Sequence, residues 1–478
     1  MKWNRIFIIV FSVLTNFGVQ KVNGQLFKAG AARVNITPKL GIVINGNFLP
    51  TYAKSIHDSL YVRALAFSNG KKKFAFVVVD CTGMEQDFIN ETKEQIKLKT
   101  GLEPSQVMIS STHAHSCGSL VSILLCPADI GYLKLVSEKI LLSVQLSLKN
   151  LQPAQVAWGS VNISKHVSNR RWFMKEGYKL PNPFGGTDKV RMNPEAGSPY
   201  ILKPAGPTDP EVGYLAVKSL KGKWISILAN YSLHYVGDFS GGIISADYFG
   251  EIGKQLKEKL NASEDFVGIM SNGTSGDINS MDFLNNKNYP TEPFAKTKLI
   301  ANDITNGVMA SMDSIAWDKN PAFISAFERI PIHVRKLTEK QSEEAMKTFL
   351  EADYLAINEI NWTTKEMFQI YAYEQVMMND FPDNVSMPIA AIRIGDGIIG
   401  TLPAEIFAET GLKLKQMSPR KHYFTIGLAN GPDTYVPPPA HFALGGYETW
   451  RCRGSFMEEQ AEPKFVQSLY GLIQKCNK

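Results

Sequence analysis

Two histidines one residue apart, His113 and His115, stand in the stretch Ser111-Thr112-His113-Ala114-His115-Ser116-Cys117-Gly118. On an extended segment, residues i and i+2 share a face, so both imidazoles point the same way. Neutral imidazole is the commonest biological metal ligand and suits zinc. The pair follows the apolar run Val107-Met108-Ile109-Ser110 and precedes a glycine, which puts it at the end of a strand. By itself His-x-His serves equally as half of a metal site or as two strand-end histidines satisfied by local hydrogen bonds. Other chemically capable residues fall at comparable places. His234 ends the apolar run 224–230 beside a glycine-rich loop, Glu405 follows the run 397–402, and Tyr435 and Tyr447 follow the run 423–430. Two histidines and a carboxylate are a common catalytic zinc set that leaves a position open for water. Glu405 reads equally as a dipole-stabilising residue in the first turn of a helix.

The elements that must position these residues follow from the apolar pattern. Asn69-Gly70 marks a hairpin between strands at 60–67 and 74–79. A helix at 88–99, closed by Gly101, leads to the histidine-bearing strand, so chemistry sits at a strand's carboxyl end, as in open α/β sheets. A long amphipathic helix covers 132–148, and a hairpin around Lys221-Gly222-Lys223 delivers His234. A helix then runs from 246 to 260. The strand 266–270 runs into Ser271-Asn272-Gly273-Thr274-Ser275-Gly276-Asp277-Ile278-Asn279. That polar, glycine-dense turn suits oxyanion or substrate contacts, or simply Asx-type turn bonds. Further elements are a helix at 297–312, a strand at 322–334, a hairpin around Gly395-Asp396 and a closing helix at 461–475. Pro403-Ala404-Glu405-Ile406-Phe407 is expected to open a helix. The Gly- and Pro-rich stretch 177–206 reads as one long functional loop. The charged segment 335–380 reads as a helical insertion without chemistry of its own. The expected fold is α/β, with mixed β-sheets layered with α-helices in a single large catalytic domain spanning 25–478.

At 478 residues, with 44% hydrophobic and 20% charged residues, the chain has the composition of a soluble globular protein. The formal charge of +6 is modest, and no basic run is interleaved with aromatics, which argues against nucleic acid as a partner. Five cysteines, Cys81, Cys117, Cys126, Cys452 and Cys476, are too few and odd for a disulfide framework. An oxidising compartment would permit a bridge such as Cys117–Cys126. The lack of a Cys-x-x-Cys argues against a four-cysteine zinc site. Lys2 and Arg5 precede an apolar stretch, 6–14, too short to span a bilayer. Residues 1–24 therefore read as a signal peptide, and the mature chain as secreted or periplasmic.

Asn35-Ile36-Thr37-Pro38, Thr112-His113-Ala114-His115-Ser116, Asn169-Arg170, His234, Ser275-Gly276-Asp277-Ile278-Asn279, Pro403-Ala404-Glu405 and the paired tyrosines recur in a particular order and spacing. Together, from about Ala29 to Tyr447, they resemble the neutral/alkaline, non-lysosomal ceramidase family. The resemblance implies a zinc-dependent hydrolase of linear amides with one Zn²⁺ per chain. His113, His234 and Glu405 would ligate the zinc, with Tyr435 adding its phenolic oxygen. His115 would handle protons or the substrate carbonyl, and Arg170 and Tyr447 would stabilise the oxyanion or hold the substrate. Zinc-activated water would attack the N-acyl carbonyl of a sphingolipid-like or other N-acylated amine. The implied partner is that small or lipid-like substrate, with peripheral membrane contact through it and no protein partner.

Several positions depart from the family pattern. Asn279 stands where the family's Gly-Asp-x-Ser has serine, and Cys117-Gly118-Ser119 replaces Gly-Pro-Gly. No C-terminal immunoglobulin-like domain is expected, and the loop 177–207 has no evident counterpart. These departures fall on substrate recognition rather than on the metal. Arg171 competes with Arg170, but alternation lets only one of them point inward. Asp80, Asp238, Asp247 and Asp277 read as partners behind the histidines or as turn residues. Two other readings use the same residues: a non-catalytic secreted binding protein on this fold, and a metal-dependent hydrolase of an ester or other small substrate.

Overall fold

In the strand Tyr61–Ser68, Val62 and Ala64 are buried on one side while Leu65 and Phe67 are buried on the other. A strand buried on both faces needs a layer above and a layer below. The computed structural model, which describes residues 26–284, 289–360 and 364–478, shows those layers. The leader expected at 1–24 lies outside the described residues. Among them, no helix is long and apolar enough to cross a membrane.

The larger sheet has eight strands: β1 (Lys28–Asn35), β2 (Tyr61–Ser68), β3 (Lys73–Val79), β4 (Val107–Ser111), β5 (Gln152–Asn162), β6 (Glu211–Ser219), β7 (Trp224–Tyr231) and β8 (Val267–Asn272). Their spatial order is β8-β7-β6-β5-β1-β2-β3-β4. The second sheet orders β9 (Phe323–His333), β10 (Asn384–Ile394), β11 (Gly397–Thr401) and β12 (His422–Ile426) in sequence. The sheets pack face to face through Phe67, Phe76, Trp158 and Leu215 on one side and Phe323, Ile392, Ile399 and Phe424 on the other. Helices α1 (Gln86–Thr100), α2 (Ile130–Lys149), α3 (Asp247–Lys259) and α4 (Ala295–Ser311) cover the outer face of the large sheet. A hairpin of α5 (Glu339–Glu351) and α6 (Lys365–Met377) lies in the segment 335–380 expected to be helical, followed by α7 (Ala408–Met417). The last helix, α8 (Ala461–Asn477), lays Phe465, Leu469 and Leu472 on the outer face of the small sheet. The expected layered α/β architecture is thus an α-β-β-α stack.

Within the two sheets, β3·β4, β7·β8 and β11·β12 pair in parallel, and all other neighbours are antiparallel. Parallel neighbours require a crossover. α1, α3 and α7 supply it. Three carboxyl-terminal strand ends therefore open toward one region, and the candidate site lies there.

Three local expectations are corrected. Glu405 does not open a helix: Glu405–Ile406 is a short strand paired in parallel with Tyr435–Val436, and α7 begins at Ala408. The Glu405 N–H is taken by Thr434 O at 2.8 Å and the Ile406 carbonyl by the Gly276 N–H at 2.8 Å, so this backbone is committed to its neighbours before a helix can form. The stretch 177–206 is not a single structureless loop. Its segments Val190–Met192 and Ile201–Pro204 pair on either side of Arg171–Met174 as a three-stranded sheet. Finally, Cys117 and Cys126 do not pair; all five cysteines are free and buried. Cys117 Sγ faces Ser245 O at 3.7 Å and Cys126 Sγ faces Asn47 O at 3.2 Å.

Candidate metal centre

His113 lies just beyond β4, His234 just beyond β7 and Glu405 just beyond β11. His113 itself is not extended. Its φ is 69°, a left-handed conformation that a non-glycine residue keeps only when its surroundings hold it. Its N–H donates to Cys81 O at 2.9 Å. The turn, rather than strand alternation, brings its ring to the ring of His115.

Each imidazole is oriented by a backbone carbonyl. Nδ1 of His113 meets Thr82 O at 2.7 Å, Nδ1 of His115 meets Gly46 O at 2.8 Å, and Nδ1 of His234 meets Ser275 O at 3.1 Å. Thr82 follows β3 and Ser275 follows β8, so each of these two parallel pairs places a histidine beyond one strand and its orienting carbonyl beyond the other. A carbonyl at Nδ1 assigns the proton to Nδ1 and leaves Nε2 as a lone pair. The three Nε2 atoms converge. That of His113 is 3.1 Å from that of His115 and 3.1 Å from that of His234.

A carboxylate completes the cluster. Glu405 Oε2 is 3.2 Å from Nε2 of His113 and 3.8 Å from Nε2 of His234, buried and without a hydrogen-bond donor. Burial by itself lowers the pKa of His113. The charge and proximity of Glu405, then Asp433 and the Thr82 carbonyl, reverse this and carry it to about 9. His115 and His234 are pushed well below the usual imidazole range, first by burial and then by neighbouring positive charge. Nitrogen lone pairs and a carboxylate oxygen thus face one another in a buried site. Such a donor set fits a divalent cation such as zinc.

The remaining predicted residues distribute as follows. Tyr435 and Tyr447 line the same cavity, of about 200 Å³, with ring centroids 5.7 Å apart. Arg170 lines it too; its Nη1 reaches Nε2 of His234 at 3.3 Å and its Nε donates to Glu448 Oε1 at 2.8 Å. Arg171 turns away, donating to Glu448 and to Gly445 O. Asn279 does not line the cavity: its amide donates at 3.0 Å to Asn193 Oδ1, and Asn193 does. Asp277 stands behind the site, accepting from Asn169 Nδ2 at 2.6 Å and the Ala408 N–H at 2.8 Å. Burial pushes its pKa up to about 6.

Sequence reasoning missed four participants. Asp433 Oδ1 lies 3.8 Å from Nδ1 of His113, and burial, against the pull of His113, raises its pKa to about 7. Tyr235 stacks on His115 with centroids 3.9 Å apart. Glu448 is fully buried between the two arginines, and Gly46 supplies a carbonyl. Tyr235 alone carried a signal, its adjacency to His234.

The layered sheets and their strand arrangement are those of solved neutral ceramidase structures. Neutral ceramidase from Pseudomonas aeruginosa is similar with a TM-score of 0.69 at 15% identity, the match covering 94% of this chain and 74% of that one. A structure described as ceramidase complexed with C2 is similar with a TM-score of 0.68 at 14% identity, covering 94% and 75%. At these identities the likeness is one of fold. No protein-family model and no curated protein sequence matches this chain.

Proposed function

We propose that the protein is a zinc-dependent hydrolase of linear amides, acting on the N-acyl bond of a sphingolipid-like or other N-acylated amine. The carrying observation is the convergence of three Nε2 atoms, two of which, those of His113 and His234, also face the buried Glu405 Oε2. The fold likeness to neutral ceramidases supports the amide class. His113, His234, Glu405 and Tyr435 are assigned to hold one zinc. When bound there, zinc supplies Lewis acidity and brings the pKa of water to about 7.

The chain's own groups have separate tasks. Arg170, fixed by Glu448, donates to the oxygen that becomes negative as the carbonyl is attacked, with Tyr447 as a second donor. One well-placed donor of this kind contributes about 3–4 kcal/mol. His115 keeps its ring position through Gly46 O and Tyr235, takes a proton on Nε2 from the attacking water and passes it to the leaving amine. Phe48, Ile123, Leu124 and Met192 are apolar residues of the cavity lining, which suits an acyl group. We place the mature chain outside the cytosol on the strength of the leader-like residues 1–24.

Mass spectrometry of natively loaded protein tests the metal, and release of amine from short-chain N-acyl amines tests the reaction. Stoichiometric zinc that is lost in His113→Ala, together with amine release, supports the proposal. Absence of zinc after reconstitution overturns it in favour of a binding protein. Zinc with ester but no amide cleavage would favour the hydrolase of another small substrate.

A further inference from the structure

The α5–α6 hairpin looks inert in sequence, yet it puts one buried carboxylate against the candidate site. Glu374 on α6 is fully buried. It accepts from the Leu124 N–H at 2.7 Å, from the Arg453 N–H at 2.9 Å, and from Arg453 Nη2 at 2.6 Å. Arg453 in turn donates to Ser122 O at 2.8 Å and Leu124 O at 3.0 Å. One ion pair thus ties together α6, the turn at 122–126 and the turn at 452–455.

Both turns face the cavity. Ile123 and Cys126 close the first by exchanging backbone hydrogen bonds at 3.1 and 3.0 Å, and Cys452 and Ser455 close the second at 3.3 and 2.9 Å. Ile123, Leu124, Cys452 and Gly454 line the cavity. Leu124 has φ 54°, a conformation a leucine adopts only when its backbone is held. The second turn also reaches the metal side, because Gly454 O accepts the Tyr435 N–H at 2.9 Å. Two apolar residues of the cavity lining, Ile123 and Leu124, are therefore tied through their turn to a carboxylate outside that lining.

We infer that Glu374, acting through Arg453, is a positioning residue that determines substrate selection: it holds Ile123 and Leu124 where they receive the apolar acyl group. The selection half of this inference rests on the amide-hydrolase reading. The positioning half does not.

The test compares wild type with Glu374→Gln, and with Arg453→Lys in case the first variant fails to fold. Amide hydrogen exchange over 119–127 and 450–456 reads the positioning. Protection there should fall at least tenfold in the variants while β1–β8 exchange as in wild type. Unchanged protection overturns the inference whatever the substrate. N-acyl aminomethylcoumarin amides from two to sixteen acyl carbons read the selection. In the variants, kcat/KM for the eight-carbon amide should drop at least tenfold through KM, with the two-carbon amide within threefold. An equal drop at every chain length overturns the selection role. Should wild type cleave none of the series, the amidase reading fails. The comparison then passes to binding of the same amides, where an equal change in affinity for two and eight carbons is the overturning result.

Discussion

Gly46 O accepts the Nδ1 proton of His115 at 2.8 Å, and the missing side chain of Gly46 is what lets the ring lie there. A Cβ at Gly46 would fall 2.5 Å from the ring's Cγ, and the residue's φ of 119° is itself unfavourable to side chains. Gly46→Ala should displace the imidazole while leaving His113 and His234 in place. A displacement of about 1 Å in a catalytic group can lower turnover about 100-fold. The expected outcome is that loss with zinc content unchanged, read by steady-state kinetics beside metal analysis.

His115 and His234 are equally close to His113, so distance alone does not separate ligand from proton carrier. The proposed division makes them differ on mutation. His115→Ala should keep its zinc and lose about 10²–10⁴ in kcat, the range of a general acid–base group. His234→Ala should lose the zinc as well. Retained zinc in His234→Ala would refute the ligand assignment.

Glu448 sits between Arg170 and Arg171 with all three side chains buried. Burial alone would raise its pKa; Arg171 and then Arg170 outweigh that and hold it below the usual carboxylate range. Glu448→Gln leaves two guanidiniums buried with one neutral partner. Breaking a buried pair this way costs about 3–5 kcal/mol. Chemical denaturation should report that loss, and activity should fall further because Arg170 loses the group that aims it.

Lys93 on α1 is 4% exposed, and burial, with the charge of Arg329 adding, lowers its pKa to about 7. In the unfolded chain the value is about 10.4. Between those values the unfolded state binds more protons, so stability rises with pH across this window. The penalty is complete below about pH 7 and gone above about pH 10. Lys93→Met should therefore raise unfolding free energy by about 4 kcal/mol at pH 6 and hardly at all at pH 10. Denaturant titrations at the two pH values check this, with kcat expected to be unchanged.

Local physics was readable from the chain alone. Nearly continuous apolar runs such as Val62 to Phe67 mark strands buried on both faces, and Asn69-Gly70 and Gly395-Asp396 mark the hairpins. Histidines placed after apolar runs were enough to pick out His113, His115 and His234, because side chains at strand ends are where a sheet exposes chemistry. What lies across the fold was not readable. Glu405 looked like a helix start until Thr434 O claimed its N–H, a partner no local pattern names. Asp433 reaches His113, and Glu374 reaches Leu124, only after strand order and helix crossovers are set. Strand sequence determines which faces must be buried. Only the stacking of two sheets determines which polar groups, distant in the chain, meet without water between them.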